Sequence, residues 1–192
     1  LKSVEYLDYS LRIFFESASK EKWFDNTLFV ITADHTGPSS DNYYSNSVGN
    51  FAVPIIFYKR NSSLKGINNR IAQQIDIMPS VLNYAGYDTP YFSFGNDVLD
   101  STSQRFAVNF INDVYQIFEG DHLLQFDGDK TIGFYNYRTD SLLQMNLVGK
   151  EPEKDASTPL SVTQKQMEKK LKAIIQTYHR GMIHNKLSAE VQ

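Results

Sequence analysis

Apolar residues recur at helical spacing from the start of the chain. Val4, Leu7, Leu11, Phe14, Phe15 and Ala18 form one stripe, which predicts an amphipathic helix over residues 3–20 with Ser3 as its cap. Asp25-Asn26 then turns the chain into Thr27-Leu28-Phe29-Val30-Ile31-Thr32-Ala33. That run of β-branched and aromatic residues predicts a buried strand. Residues 36–50 are polar and rich in turn formers, and such long connections are uncommon unless they carry function or are disordered. A second apolar strand is predicted at 52–58, with Pro54 placed where no ladder donor is needed. After a polar connection at 59–69, Asp76 is positioned to cap a short helix from Ile77 to Ala85. Pro79 is tolerated in its first turn and Gly86 closes it. Residues 86–104 read as irregular.

At Arg105 the texture changes, dividing the chain into 1–104 and 105–192. Short, largely alternating apolar runs at 107–110, 115–118, 123–126 and 132–135 are separated by Asn112-Asp113, Gly120-Asp121 and Asp127-Gly128-Asp129. That spacing predicts a small antiparallel meander. Residues 149–160 read as a linker. Met167, Leu171, Ile174, Ile175, Tyr178 and Met182 then mark the packed stripe of a closing helix near 163–184. No internal repeat is evident, and the order of elements predicts an α/β fold.

The candidate chemistry sits at the end of the first strand, in Asp34 and His35. Open α/β sheets bind ligands where the chain leaves a strand's carboxyl end. A hard carboxylate oxygen beside an imidazole nitrogen suits a divalent cation such as Mn²⁺, Zn²⁺ or Mg²⁺. Two ligands do not complete a site, so further ligands must come from elsewhere. Capping of the following loop is the reading of the pair that needs no metal.

Composition adds boundaries. Apolar residues make up 41% and aromatics 14% of the 192, ample for a folded core. A formal net charge of −3 argues against nucleic acid as a partner. The charge is uneven, however: residues 161–187 carry six basic side chains against Glu168 alone. That basic helix suits an anionic membrane surface or an acidic neighbour; a solvated face opposite the apolar stripe is the simpler account. With no cysteine, thiolate metal sites and a cysteine nucleophile are excluded. No apolar run reaches the roughly 18 residues of a membrane span, and no targeting segment is visible. The chain begins at Leu1 inside a helical pattern, which reads as a piece of something longer.

Several spaced segments carry a family resemblance. Trp23-Phe24-Asp25-Asn26-Thr27-Leu28-Phe29-Val30-Ile31-Thr32-Ala33-Asp34-His35 resembles a metal-binding motif of sulfatases and their relatives in the alkaline phosphatase superfamily. Gln74-Ile75-Asp76-Ile77-Met78-Pro79-Ser80-Val81-Leu82, followed by Gly86, resembles the segment that comes next in those enzymes. Tyr91-Phe92-Ser93-Phe94-Gly95-Asn96-Asp97 and Leu171-Lys172-Ala173-Ile174-Ile175-Gln176 narrow the likeness to the lipoteichoic acid synthase-like phosphoglycerol transferase branch.

The resemblance implies part of a sulfatase-like three-layer α/β/α sandwich over 1–104, then a small antiparallel sheet with a C-terminal helix over 105–192. It implies a metal role for Asp34 and His35, with Mn²⁺ first and Zn²⁺ or Mg²⁺ as alternatives, and a substrate cleft bordered by the 36–50 loop. In the family a metal-activated Thr or Ser hydroxyl attacks phosphorus and forms a covalent phosphoglycerol intermediate. No position here matches that nucleophile, so no catalytic residue carries over, and the chain alone is expected to be inactive. The implied partners are the missing N-terminal half of the catalytic domain and a phospholipid or glycan-type substrate, with self-association through exposed sheet surface. The implied parent is membrane-anchored with its catalytic domain outside the cytoplasm. A sulfatase proper and a non-catalytic interaction domain are the alternatives.

Other candidates have simpler readings. His122 follows a turn-like Gly-Asp. His179 and His184, five residues apart, do not share a helix face in the way of an i, i+4 pair and read as surface or partly packed residues. Tyr43 and Tyr44 lie in the polar loop, where tyrosine is ordinary.

Overall fold

The computed structural model describes residues 2–150 and 158–188. The fold is mixed α/β, with two antiparallel sheets and a closing helix. The chain forms two compact units, one from residues 1–35 with 53–68 and the other from 36–52 with 69–192.

In the first unit, helix α1 (Lys2–Ala18) covers one face of a two-stranded sheet, β1 (Phe29–Thr32) and β2 (Ile55–Tyr58). The strands pair antiparallel with Phe29 opposite Tyr58 and Thr32 opposite Ile55. An aromatic cluster holds the helix down. The Phe15 ring lies 5.1 Å from Phe29 and 5.6 Å from Tyr58, and Phe24 lies 5.1 Å from Phe29. Phe24 is sealed, and the Arg60 guanidinium stacks 4.2 Å over its ring while pairing with Asp25 at 2.9 Å. The strand predicted to be buried is half-buried instead, because a two-stranded sheet offers α1 only one face to cover. The N-terminal half of the α1 stripe is exposed, with Val4 at 63% and Leu7 at 59%, and only Ala18 is buried.

In the second unit the meander forms as the turn spacing predicts. Strands β3 (Phe106–Ile111), β4 (Val114–Glu119), β5 (His122–Phe126) and β6 (Thr131–Asn136) lie in sequence order. Asn112 and Asp113 both take positive φ, which gives the tight two-residue turn that matches strand twist. Helix α3 (Pro159–Ile183) packs Met167 and Leu171 onto Ile117, Leu124, Phe126 and Phe134. The other face of the sheet carries Phe118 and Leu123 against Val48 and Tyr43.

Helix α3 starts earlier than its apolar stripe indicates. Thr158 caps it by accepting from the Ser161 N–H, and Pro159 occupies its first turn. Residues 151–157 of the predicted linker lie outside the described residues. Tyr178 and Met182, predicted to pack, are 47% and 58% exposed. The reason is length: a 25-residue helix extends roughly 37 Å, whereas a six-residue strand spans about 20 Å.

The short helix α2 (Ile77–Tyr84) ends as predicted, with Gly86 at φ +72° and the Tyr87 N–H returning to the Leu82 carbonyl. Its start differs. Asp76 makes no side-chain cap to α2; its carboxylate accepts from the Gln73 N–H at 2.9 Å and the Asn96 N–H at 2.8 Å. Burial pushes this carboxyl above its usual range, opposed by those two N–H donors. Residues 86–104, without regular structure, are thereby pinned: Val98 N–H donates to the buried Ser80 hydroxyl, and Arg105 donates to the Val98 and Asp100 carbonyls.

Candidate metal centre

Strand β1 ends at Thr32, whose hydroxyl donates to the Pro54 carbonyl at 2.9 Å and ties the exit of β1 to the entry of β2. Pro54, lacking an N–H, sits just before β2 and removes no ladder bond. Ala33 follows, and the chain bends at Asp34 and His35. Asp34 Oδ1 accepts from the His35 backbone N–H at 2.9 Å, which fixes the carboxylate against the chain. Its second oxygen, Oδ2, lies 3.4 Å from His35 Nε2. Both side chains are open to solvent, Asp34 at 86% and His35 at 72%.

This geometry fits a divalent ion. Two donors each about 2.1 Å from one tetrahedral ion lie roughly 3.4 Å apart, the separation found between Oδ2 and Nε2. The donor set, one hard oxygen and one imidazole nitrogen, matches the same ions. Among the described residues no cluster of three or more His, Cys, Asp or Glu side chains forms, so the pair alone would supply only part of a coordination shell.

The polar segment after the pair belongs to the second unit and is well tied within it. Thr36 Oγ1 donates to the Asn50 carbonyl, and Asn46 Oδ1 accepts from the Val48 and Gly49 N–H groups. Asn46 also donates to the Ser141 carbonyl at 2.8 Å. Gly49 approaches so closely that an added Cβ would lie 2.1 Å from the Tyr43 carbonyl oxygen. Tyr43 packs against the Val48–Phe118–Leu123 cluster, and burial raises its phenol above the usual range. Its ring is thus committed to structure, while Tyr44 remains 41% exposed.

The remaining histidines divide. His122, on β5, stacks on Phe134 with ring centres 5.0 Å apart, and burial lowers its pKa. His179 and His184 line one cleft together with Arg180, Lys172, Ile175, Gln176 and Ile183; the cleft follows one broad face of α3 beside Phe126 and Gly128, and His184 joins it at i+4 from Arg180. Sequence reasoning passed over Arg180, and Lys186 in a neighbouring cleft that Arg180 and His184 also line; the surplus of basic residues in 161–187 was the only signal.

Comparisons with known proteins agree with one another. Residues 1–87 match the sulfatase family. Lipoteichoic acid synthases of Staphylococcus aureus strains USA300 and NCTC 8325 are 33% identical over 110 residues, covering 51% of this chain and 17% of theirs. The chain therefore spans about a sixth of those relatives' length. A crystal structure of a protein in the alkaline phosphatase superfamily from Vibrio parahaemolyticus superposes with a TM-score of 0.67 at 22% identity. The match covers 97% of this chain and 42% of that one. This shared fold confirms the α/β architecture read from the motifs.

Proposed function

We propose that the chain is part of a metal-dependent phosphoglycerol transferase: residues 1–87 match the sulfatase family, the sequence is similar to lipoteichoic acid synthases, and the fold is similar to that of an alkaline phosphatase superfamily protein. Within that enzyme Asp34 and His35 supply half of a divalent metal site, for Mn²⁺ or else Zn²⁺ or Mg²⁺. The observation that carries this reading is the Oδ2–Nε2 separation of 3.4 Å at the carboxyl end of β1. The backbone bond to Oδ1 orients the carboxylate and leaves Oδ2 beside Nε2. A divalent ion held there neutralises phosphoryl oxygens and lowers the pKa of a nearby hydroxyl.

No Ser or Thr in this sequence matches the family's nucleophile motif, and two hydroxyls near the pair are engaged locally. Thr36 Oγ1 donates to a backbone carbonyl and Ser39 Oγ accepts from the Asp41 N–H. The nucleophile and the other ligands are assigned to the remainder of the parent domain. The exposed Val4, Leu7 and Phe14 of α1 support such a partner, which would cover them. Among the described residues no helix is long and apolar enough to cross a membrane. The proposed parent is membrane-anchored and acts outside the cytoplasm on a phospholipid or glycan-type substrate.

The test is Mn²⁺ titration of the chain, followed by electron paramagnetic resonance. Weak one-site binding is expected, lost in both Asp34→Ala and His35→Ala, with no phosphodiester hydrolysis. Binding that persists in both variants defeats the assignment. Sulfate-ester hydrolysis is the second reading, favoured by the family match over 1–87; cleavage of sulfate esters but not phosphodiesters by the parent enzyme would establish it.

A further inference from the structure

The last two turns of α3 carry a surface that the metal chemistry does not use. An open cleft of about 600 Å³ is lined by Lys172, His179, Arg180 and His184, with Phe126 and Ile183. A second, of about 540 Å³, shares Arg180 and His184 and adds Lys186 and Phe92. Arg180 and His184 therefore stand between two concave sites. The helix terminus builds this arrangement. Asn185 takes φ +51°, the Lys186 N–H returns to the Gly181 carbonyl at 2.8 Å, and Leu187 closes over Gly181, where an added Cβ would lie 2.3 Å from Leu187 Cδ2. This reversal brings Lys186 back beside Arg180.

Charge and apolar exposure coincide here. Among the described residues no carboxylate lines either cleft. Among the described residues Arg180, His179, His184 and Lys186 form no ion pair, whereas Lys172 is held by Glu168 at 2.6 Å. Asp127 and Asp129 flank Gly128 at the edge of the first cleft only. Ile183, which lines the first cleft, is 77% exposed. A merely solvated basic face leaves this large apolar side chain without a role, and so does a site for a small free anion. A surface that is both anionic and apolar beneath its headgroups satisfies both sets of side chains.

We infer that this end of α3 docks on an anionic phospholipid surface, with headgroup phosphates seated between Arg180, His184 and Lys186, and Ile183 entering the boundary below them. The clefts lie in the second compact unit and Asp34 and His35 in the first, so the inference does not rest on the metal reading.

The experiment is co-sedimentation of the full chain with phosphatidylcholine vesicles, with and without phosphatidylglycerol. Binding is expected only with phosphatidylglycerol and should weaken with added salt. Arg180→Gln and Lys186→Gln should each lower partitioning about fivefold. Ile183→Ser should also lower it while leaving the salt dependence unchanged. These positions are exposed, and unchanged circular dichroism would verify folding. Absence of binding, or equal binding to neutral vesicles, overturns the inference. So does unaltered binding of the Arg180→Gln/Lys186→Gln double variant, which would place the contact on another exposed apolar surface such as α1. Displacement by soluble glycerol phosphate, with Ile183→Ser binding like the parent chain, would assign the clefts to a free phosphate ester and defeat lipid docking.

Discussion

Leu171→Ala offers the sharpest test of how the second unit is held together. Leu171 is fully buried, among Ile117, Leu124, Phe126, Phe134 and Met167. The substitution removes three carbons, each worth about 0.8 kcal/mol on burial, or roughly 2.4 kcal/mol. The cavity left behind adds about 1 kcal/mol, because its walls include side chains on β4, β5 and β6, which the hydrogen-bonded ladder keeps from collapsing inward. The expected loss is therefore about 3–4 kcal/mol, and Tm should fall by about 6–16 °C. Met182→Ala, on the same helix but largely exposed, should change stability by no more than about 0.5 kcal/mol. Urea and thermal unfolding, followed by far-ultraviolet circular dichroism, measure both. A Leu171→Ala loss below about 1 kcal/mol, or equal losses in the two variants, would refute the packing described.

Gly95→Ala should destabilise the chain by about 2 kcal/mol or more, because the new Cβ would lie 2.1 Å from the Ile75 carbonyl oxygen; the urea midpoint reads this directly. Glu168 is held below its ordinary range chiefly by the Lys172 hydrogen bond, with a further bond from Thr131. Its contribution is complete above the ordinary carboxylate range and is lost as pH falls through the depressed value. Glu168→Gln should therefore flatten the acid limb of stability against pH, measured by urea midpoints from neutral to acidic pH; an unchanged limb would show that the pair is inert.

The parts legible in the sequence are those set by neighbours along the chain. Asn112-Asp113 accommodates the positive φ of a tight turn, Gly86 the left-handed helix end, and the apolar runs between turns within 105–136 marked the four strands of the meander. Asp34 and His35 were visible for the same reason, since adjacent residues leaving a strand are close in any fold. Their remaining partners would be far apart in sequence, and no local pattern names them.

Tertiary structure decided what depends on distance and finite size. Pairing of β1 with β2 across the polar segment, and the use of the Asp76 carboxylate to hold Asn96 rather than to cap α2, are non-local contacts. A periodic stripe shows which side of α3 is apolar but not where the sheet beneath it stops, so Tyr178 and Met182 look identical to Leu171 in the sequence. Likewise, helical spacing alone places His179 and His184 near Arg180, but only the reversed chain at Asn185 brings Lys186 back to the cleft that Arg180 and His184 also line. Local sequence sets turns, caps and periodicity through short-range sterics; burial and charge clustering arise only once separate elements are packed together.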